Sequence, residues 1–209
     1  MPGFPTAPDA PFLESDISGR KVHEFDFTRE GKGLKLGPFH GLDFFNDGSF
    51  YILDTPGHTT GHICGLARTS TNPDTFVFMG GDASHHPGEF RASEYVPLPS
   101  NIDPSPIAGL SAGCPGGMLQ EMQRNKRADQ AFYIPSEGFN KDSDVALDTI
   151  KGLQAFDAHP TVLMVVAHDT SLLDTLPFYP KSVNDWHSQS LGRKAHWRFL
   201  RDFEGAVEK

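Results

Sequence analysis

Three metal-competent side chains in this sequence each follow a short apolar run. His58 comes after FYILDTPG, Asp82 after TFVFMGG and His168 after TVLMVVA. Side chains at the ends of neighbouring strands can converge on one edge of a sheet, where α/β proteins place their sites. Two imidazoles and a carboxylate form a donor set that suits zinc or iron. The pattern raises the hypothesis of a metal site, although each residue taken singly is more often a surface histidine or a turn former.

The stretch DTPGHTTGH, residues 54–62, is typical of a tight turn. Two histidines at this spacing would share one face of a helix, but Pro56, Gly57 and Gly61 exclude a helix there. Glycines and a proline around a histidine indicate a turn that aims one side chain. We therefore expect His58 to be the directed residue of the pair.

The elements that must position these residues are mostly strands. Alternating or apolar patterns predict strands, with an Asp47-Gly48 hairpin turn between the second and third of them, over residues 21–27, 39–45, 49–55, 62–68, 75–82 and 161–169. Helix-forming residues predict helices at 118–130, at 144–156 with Ser143 as a possible N-cap, and in an amphipathic tail at 191–207. Residues 1–20 and 85–117 are rich in proline and predict loops. Without a repeat or a convincing linker, we expect one domain over residues 1–209.

Composition excludes several classes of protein. The net charge of -9 argues against binding to nucleic acid or to an anionic membrane, and the locally basic stretch 192–201 fits a charged helix face. Cys64 and Cys114 form no disulfide framework, and no CxxC pair suggests a thiolate zinc site. Neither a secretory signal nor an apolar run near the roughly 18 residues of a membrane helix is present. A cytoplasmic protein is the simplest interpretation.

The motifs together resemble those of the metallo-β-lactamase superfamily. Three motifs are similar to the second half of such a hydrolase, and most similar to those of fungal lactonase-like members: TPGHTTGHICGL, FVFMGGDASHH and VLMVVAHD. The similarity extends over most of the chain. It implies an α/β fold, namely the second half of an αβ/βα sandwich with a mixed sheet and flanking helices. It also implies zinc-dependent hydrolysis of a lactone, ester or thioester bond in a small-molecule substrate.

The resemblance also implies roles for individual residues. His58 corresponds to a ligand of the first zinc, Asp82 to the carboxylate that bridges two zincs, and His168 to a ligand of the second. His62 matches a histidine that is not usually a ligand, so support of a ligand or strand packing is expected. His85 and His86 are expected at the pocket mouth or in a solvated loop. No catalytic residue is assigned, and Cys64 is expected to be a buried, inert thiol.

The sequence departs from the family pattern upstream of the turn. The remaining zinc ligands of the family lie in an HxHxDH motif, whereas the only histidines before His58 are His23 and His40. We therefore expect a truncated chain with an incomplete site, which binds two zincs weakly or not at all. The alternatives are one metal bound by His58, Asp82 and His168, a non-catalytic binding or assembly remnant, and activity restored by a separate N-terminal half.

Half a sandwich would leave one sheet face uncovered and would favour self-association. The residues expected to be partly exposed for this reason are Phe76, Phe78, Val162, Leu163 and Val165. A stable monomer in size-exclusion chromatography would contradict this expectation.

Overall fold

The structure is a computed structural model that describes residues 2–10, 12–27, 33–110, 113–136 and 138–207. The chain separates into two compact units, residues 1–31 and residues 32–209. In the first unit Phe4 and Leu13 form an isolated bridge, and helix α1 spans Glu14–Ile17. The strand expected at 21–27 is not formed, because the alternating residues have no paired neighbour. The single domain over residues 1–209 stays a prediction.

The second unit is built on a six-stranded mixed sheet. The strands, in chain order, are β1 (Leu34–Leu36), β2 (Phe39–Asp43), β3 (Phe50–Asp54), β4 (Ile63–Thr71), β5 (Asp74–Met79), β6 (Asn101–Ile102), β7 (Cys114–Pro115) and β8 (Val162–Val165). The sheet order is β1-β2-β3-β4-β5-β8, and β6 pairs with β7 separately. The pairs from β1-β2 to β4-β5 are antiparallel, whereas β8 runs parallel to β5. The expected mixed sheet is confirmed.

Helices flank this sheet. They are α2 (Gly116–Met122), α3 (Ser143–Asp157), α4 (Leu191–His196) and α5 (Glu204–Val207), with 3₁₀ helices at Pro87–Glu89, Thr170–Leu172 and Arg198–Phe203. Helix α3 begins at an Asp142 N-cap, whose side chain accepts a hydrogen bond from Val145 N, so the cap lies one residue before the predicted Ser143. Within the described residues, no helix is long and apolar enough to cross a membrane.

Both faces of the central strands are covered. Phe78 and Met164 pack with Leu153 of α3 in one apolar cluster, whereas Leu163 packs with Trp186 in another. Phe78 is therefore fully buried and Leu163 is 3% exposed, so the prediction that they would be partly exposed was wrong. It failed because α3 and the segment around Trp186 supply cover from within this chain. The other residues of that prediction, Phe76, Val162 and Val165, are half-buried.

Two predicted helices are shorter than expected. The helix expected at 118–130 ends at Met122, because the Gln123 side chain accepts a hydrogen bond from Arg127 N and donates to the carbonyls of Gln130 and Ala131. These bonds fold the following residues into a loop, although their propensities favour a helix. The tail expected at 191–207 divides into α4, a 3₁₀ helix and α5.

Candidate metal centre

The turn after β3 is held against helix α3. Gly57 has φ +127°, and a Cβ there would lie 2.4 Å from the backbone of Ala146, so only glycine fits this position. The hydroxyl of Thr149 donates a 2.6 Å hydrogen bond to the carbonyl of Pro56. The turn is thus fixed by close backbone packing and by α3, and His58 follows directly on it.

The three residues predicted as ligands come together at one edge of the sheet. His168 Nε2 lies 2.9 Å from Asp82 Oδ1, and His58 Nε2 lies 3.9 Å from Asp82 Oδ2. The carboxylate therefore lies between two imidazoles, with one oxygen toward each. This placement follows from the adjacency of β5 and β8, because Asp82 follows β5 and His168 follows β8.

A fourth side chain, His85, joins this cluster. Donor atoms of Asp82, His85 and His168 all lie within 4.8 Å of one another, and this is the arrangement expected of groups that can hold one cation. The ring centroid of His85 is 4.9 Å from that of His58 and 5.4 Å from that of His168. We name the four residues His58, Asp82, His85 and His168 the histidine–aspartate cluster.

The environment of the cluster suits a cation. Burial lowers the pKa of His85, an effect that the nearby Glu89 carboxylate opposes, and His58 lowers the pKa further. A neutral imidazole is the form that binds metal. The Nδ1 atom of His58 is buried and has no hydrogen-bond partner among the described residues. Three imidazoles around one carboxylate match the preferences of zinc and of other divalent transition metals.

His62 contacts the backbone that carries Asp82. Its Nε2 accepts a 3.1 Å hydrogen bond from Asp82 N, so Nδ1 carries the proton and lies 3.1 Å from the carbonyl of Thr55. Burial lowers the pKa of His62, which favours this neutral tautomer. Gly81, at φ +50°, makes room for the ring, because a Cβ there would lie 3.1 Å from His62 Nε2. His62 thus links the end of β3 to the loop after β5.

His86 is engaged elsewhere. Its Nδ1 accepts a 3.0 Å hydrogen bond from Gly88 N, and its Nε2 lies 2.9 Å from Asp202 Oδ2. It is the N-cap residue of the 3₁₀ helix Pro87–Glu89. Both nitrogens are occupied, so the ring forms part of a wall and is not free to bind a metal.

A cavity of about 400 Å³ opens beside the cluster. Its walls are mixed aromatic and polar, and its lining residues include His85, His86, Tyr133, Ile134, Phe139 and Asp202. This size is within the range of small-molecule sites. Burial raises the pKa of the Tyr133 phenol, and the Asp202 charge raises it further, so the hydroxyl keeps its proton at neutral pH. His85 belongs to both the cluster and the cavity wall.

Cys64 lies below the site on β4. It is 2% exposed, and its thiol donates to the carbonyl of Gly80 at 3.3 Å. Burial raises the pKa of this thiol to about 12. A protonated, buried thiol is inert, as the sequence predicted.

The sequence predicts His85 either at a pocket mouth or in a solvated loop, and in the structure it lines the cavity. Its position depends on the buried Glu89, whose carboxylate accepts hydrogen bonds from His85 N and from the Ser84 hydroxyl. The SHHPGE segment has no periodic pattern of hydrophobic residues, so the sequence does not predict that it folds back on itself. The one available signal is that His85 follows closely on Asp82.

The chain is similar over nearly its whole length to fungal proteins named metallo-hydrolase and γ-lactamase. It is 45% identical over 209 residues to metallo-hydrolase mfmC of Annulohypoxylon moriforme, and the aligned stretch covers 99% of this chain and 53% of that protein. It is 40% identical over 205 residues to γ-lactamase FDB1 of Fusarium pseudograminearum, which spans 97% of this chain and 49% of that protein. No family model matches the chain. The chain thus spans about half the length of these relatives.

A longer relative and a solved structure extend the comparison. Cytochrome P450 monooxygenase mpaDE of Penicillium roqueforti is 42% identical over 208 residues, which are 99% of this chain and 22% of that protein. A solved N-acyl homoserine lactone hydrolase, with its product bound at the catalytic metal centre, aligns at a TM-score of 0.39. The alignment has 17% identity and covers 68% of this chain and 38% of that one.

A mixed sheet that brings imidazoles and a carboxylate together at its edge defines an α/β protein with a candidate metal centre. The chain is 40–45% identical to relatives named metallo-hydrolase and γ-lactamase, which agrees with the family resemblance carried by its TPGHTTGH and GGD elements. These findings support the metallo-β-lactamase superfamily, to which the sequence motifs point.

Proposed function

We propose that this chain is part of a zinc-dependent hydrolase that opens a cyclic ester or amide in a small molecule, with esters and thioesters as further substrates. The observation that carries the proposal is the contact of Asp82 with both His58 and His168. The relatives named γ-lactamase support the inclusion of a lactam among the substrates. We propose in addition that the rest of the site is supplied by an upstream segment, from the same chain or from another one.

The residues present fit a zinc ion. His58, Asp82 and His168 would supply ligands for zinc, because the carboxylate of Asp82 lies between the imidazoles of His58 and His168. A bound zinc ion lowers the pKa of coordinated water and polarises a carbonyl oxygen. His62 fixes the backbone of Asp82 through the hydrogen bond from Asp82 N. Such support typically governs the affinity and geometry of a site.

The cavity beside the cluster would receive the substrate. Phe139 packs against His85 at a centroid distance of 5.3 Å, so an apolar wall directly adjoins the cluster. Ile134 adds apolar surface, and the protonated Tyr133 hydroxyl can donate a hydrogen bond to a bound carbonyl. A ring or short acyl group against Phe139 would place its carbonyl toward the cluster. The walls would also exclude part of the bulk water from the reacting bond.

The test is hydrolysis by a reconstituted protein. We would mix this chain with the part of metallo-hydrolase mfmC that it does not match, add zinc, and assay γ-lactams, lactones and thioesters. We expect hydrolysis in the mixture and its loss on Asp82→Ala or His58→Ala, because each substitution removes a donor from the site. His187→Ala is the matched control, since this exposed ring packs on Trp186 and belongs neither to the cluster nor to the cavity wall.

Two results would contradict the proposal. Hydrolysis that survives Asp82→Ala would show that the activity does not use this site. A folded, zinc-loaded mixture that hydrolyses none of the substrates would favour the non-catalytic alternative, in which the fold serves binding or assembly.

A further inference from the structure

We propose that His85 is a direct metal ligand, so that Asp82, His85 and His168 together bind one divalent cation on this chain. The inference rests on the proposed function, because it concerns the same site. It gives His85 a specific role and makes metal binding a property of these residues without an upstream motif.

The spacing of the donor atoms carries the first step. Zinc ligands lie about 2.0–2.2 Å from the ion, so two donors on one zinc are at most roughly 4.3 Å apart. The donor atoms of Asp82, His85 and His168 all lie within 4.8 Å of one another, and the closest pair is 2.9 Å apart. Small side-chain rotations therefore bring all three onto one ion.

The second step is that His85 is held in place. Its backbone N donates a 3.0 Å hydrogen bond to Glu89, which also accepts from the fully buried Ser84 hydroxyl at 2.8 Å. The ring packs against Phe139 and against the rings of His58 and His168. A residue held on both its backbone and its ring loses little freedom when it binds a metal.

The third step is that the ring nitrogens of His85 are available. Neighbouring His62 and His86 use both of their nitrogens in contacts with the protein. Over the described ranges, no hydrogen bond occupies either ring nitrogen of His85. A fixed imidazole with free nitrogens beside a carboxylate is suited to bind a cation.

The experiment uses Co²⁺ and a thiolate reporter. The wild-type chain should bind Co²⁺ with visible absorption bands, whereas His85→Cys should add a near-ultraviolet band from thiolate-to-cobalt charge transfer. Such a band requires a direct sulfur–metal bond. Cys64 and Cys114 are buried, so the wild-type spectrum is the baseline. His86→Cys, on the same loop, is the matched control and should show no such band.

Affinity provides the second readout. We expect His85→Ala to bind Co²⁺ more than about 100-fold more weakly, since loss of a ligand should exceed the usual cost of losing a supporting residue. Circular dichroism would confirm that each variant folds. Asp82→Ala and His168→Ala should lose binding as well.

Three outcomes would overturn the inference. They are a His85→Cys variant that binds Co²⁺ without the charge-transfer band, a His85→Ala variant with wild-type affinity, and a wild-type chain that binds no Co²⁺. Each leaves the proposed function to its own test, because hydrolysis by the reconstituted protein does not require His85 to be a ligand.

Discussion

At the scale of single residues, the site depends on the hydrogen bonds that hold its loops. The PGH and GGD elements can be recognised in the sequence because both require glycine. Gly57 approaches the backbone of Ala146, and Gly81 makes room for His62. The position of His85 cannot be predicted from the sequence, since it depends on the buried Glu89 and on the packing of Phe139. Such contacts are formed by the folded chain and leave no periodic trace.

His62→Ala should weaken zinc binding without removing a ligand. The substitution frees the backbone of Asp82 from its 3.1 Å hydrogen bond and opens space beside Gly81. We expect a loss of about 10- to 100-fold in zinc affinity, as for other groups that orient metal ligands. Competition with a chromophoric chelator would measure it. The control is His40→Ala on the exposed side of β2, and equal affinities of the two variants would refute a positioning role for His62.

At the scale of elements, strands were easier to predict than helices. The alternation of the residues in β2 to β5 and the apolar run of β8 set which side chains are buried, and the structure has strands at each of these places. The helix expected after Gly117 ends early, because the Gln123 side chain competes for backbone groups that a helix would use. Helix propensity does not account for this competition between a side chain and the backbone.

A buried polar contact joins three of these segments. The Arg91 guanidinium donates to the Asp157 carboxylate at the end of α3, and also to the carbonyl of His196 at the end of α4. His196 Nε2 lies 3.6 Å from Asp157 Oδ2. Burial is the largest cause that lowers the pKa of His196 to about 4; the Asp157 charge opposes this shift, and the Arg91 charge adds to it. The imidazole is therefore neutral in the folded chain at neutral pH.

This contact predicts a loss of stability on acidification. Between the ordinary pKa of 6.5 and the folded value of about 4, the unfolded chain binds a proton at His196 and the folded chain does not. The free energy of unfolding should therefore fall as pH falls through this window, by up to about 3 kcal/mol. His196→Asn should flatten the dependence in urea titrations across the window. Parallel curves for variant and wild type would contradict this cause.

At the scale of the whole chain, the structure shows the mixed sheet, and the extent of the site is our proposal. The sheet of residues 32–209 is covered on both faces around Phe78 and Leu163. The number of strands does not predict this cover, because it comes from α3 and from the segment around Trp186. Self-association and pairing with a separate N-terminal half stay predictions. The chain spans about half of its metallo-hydrolase and γ-lactamase relatives.

Anomalous X-ray diffraction at the zinc edge, from crystals of this chain grown with zinc, tests the central claim most directly. We predict a strong peak at the histidine–aspartate cluster, within about 2.0–2.2 Å of Asp82 and His168 donor atoms. The same peak should vanish in Asp82→Ala crystals. A zinc-soaked crystal with no peak at this cluster, or with zinc bound only at other histidines, would contradict the account.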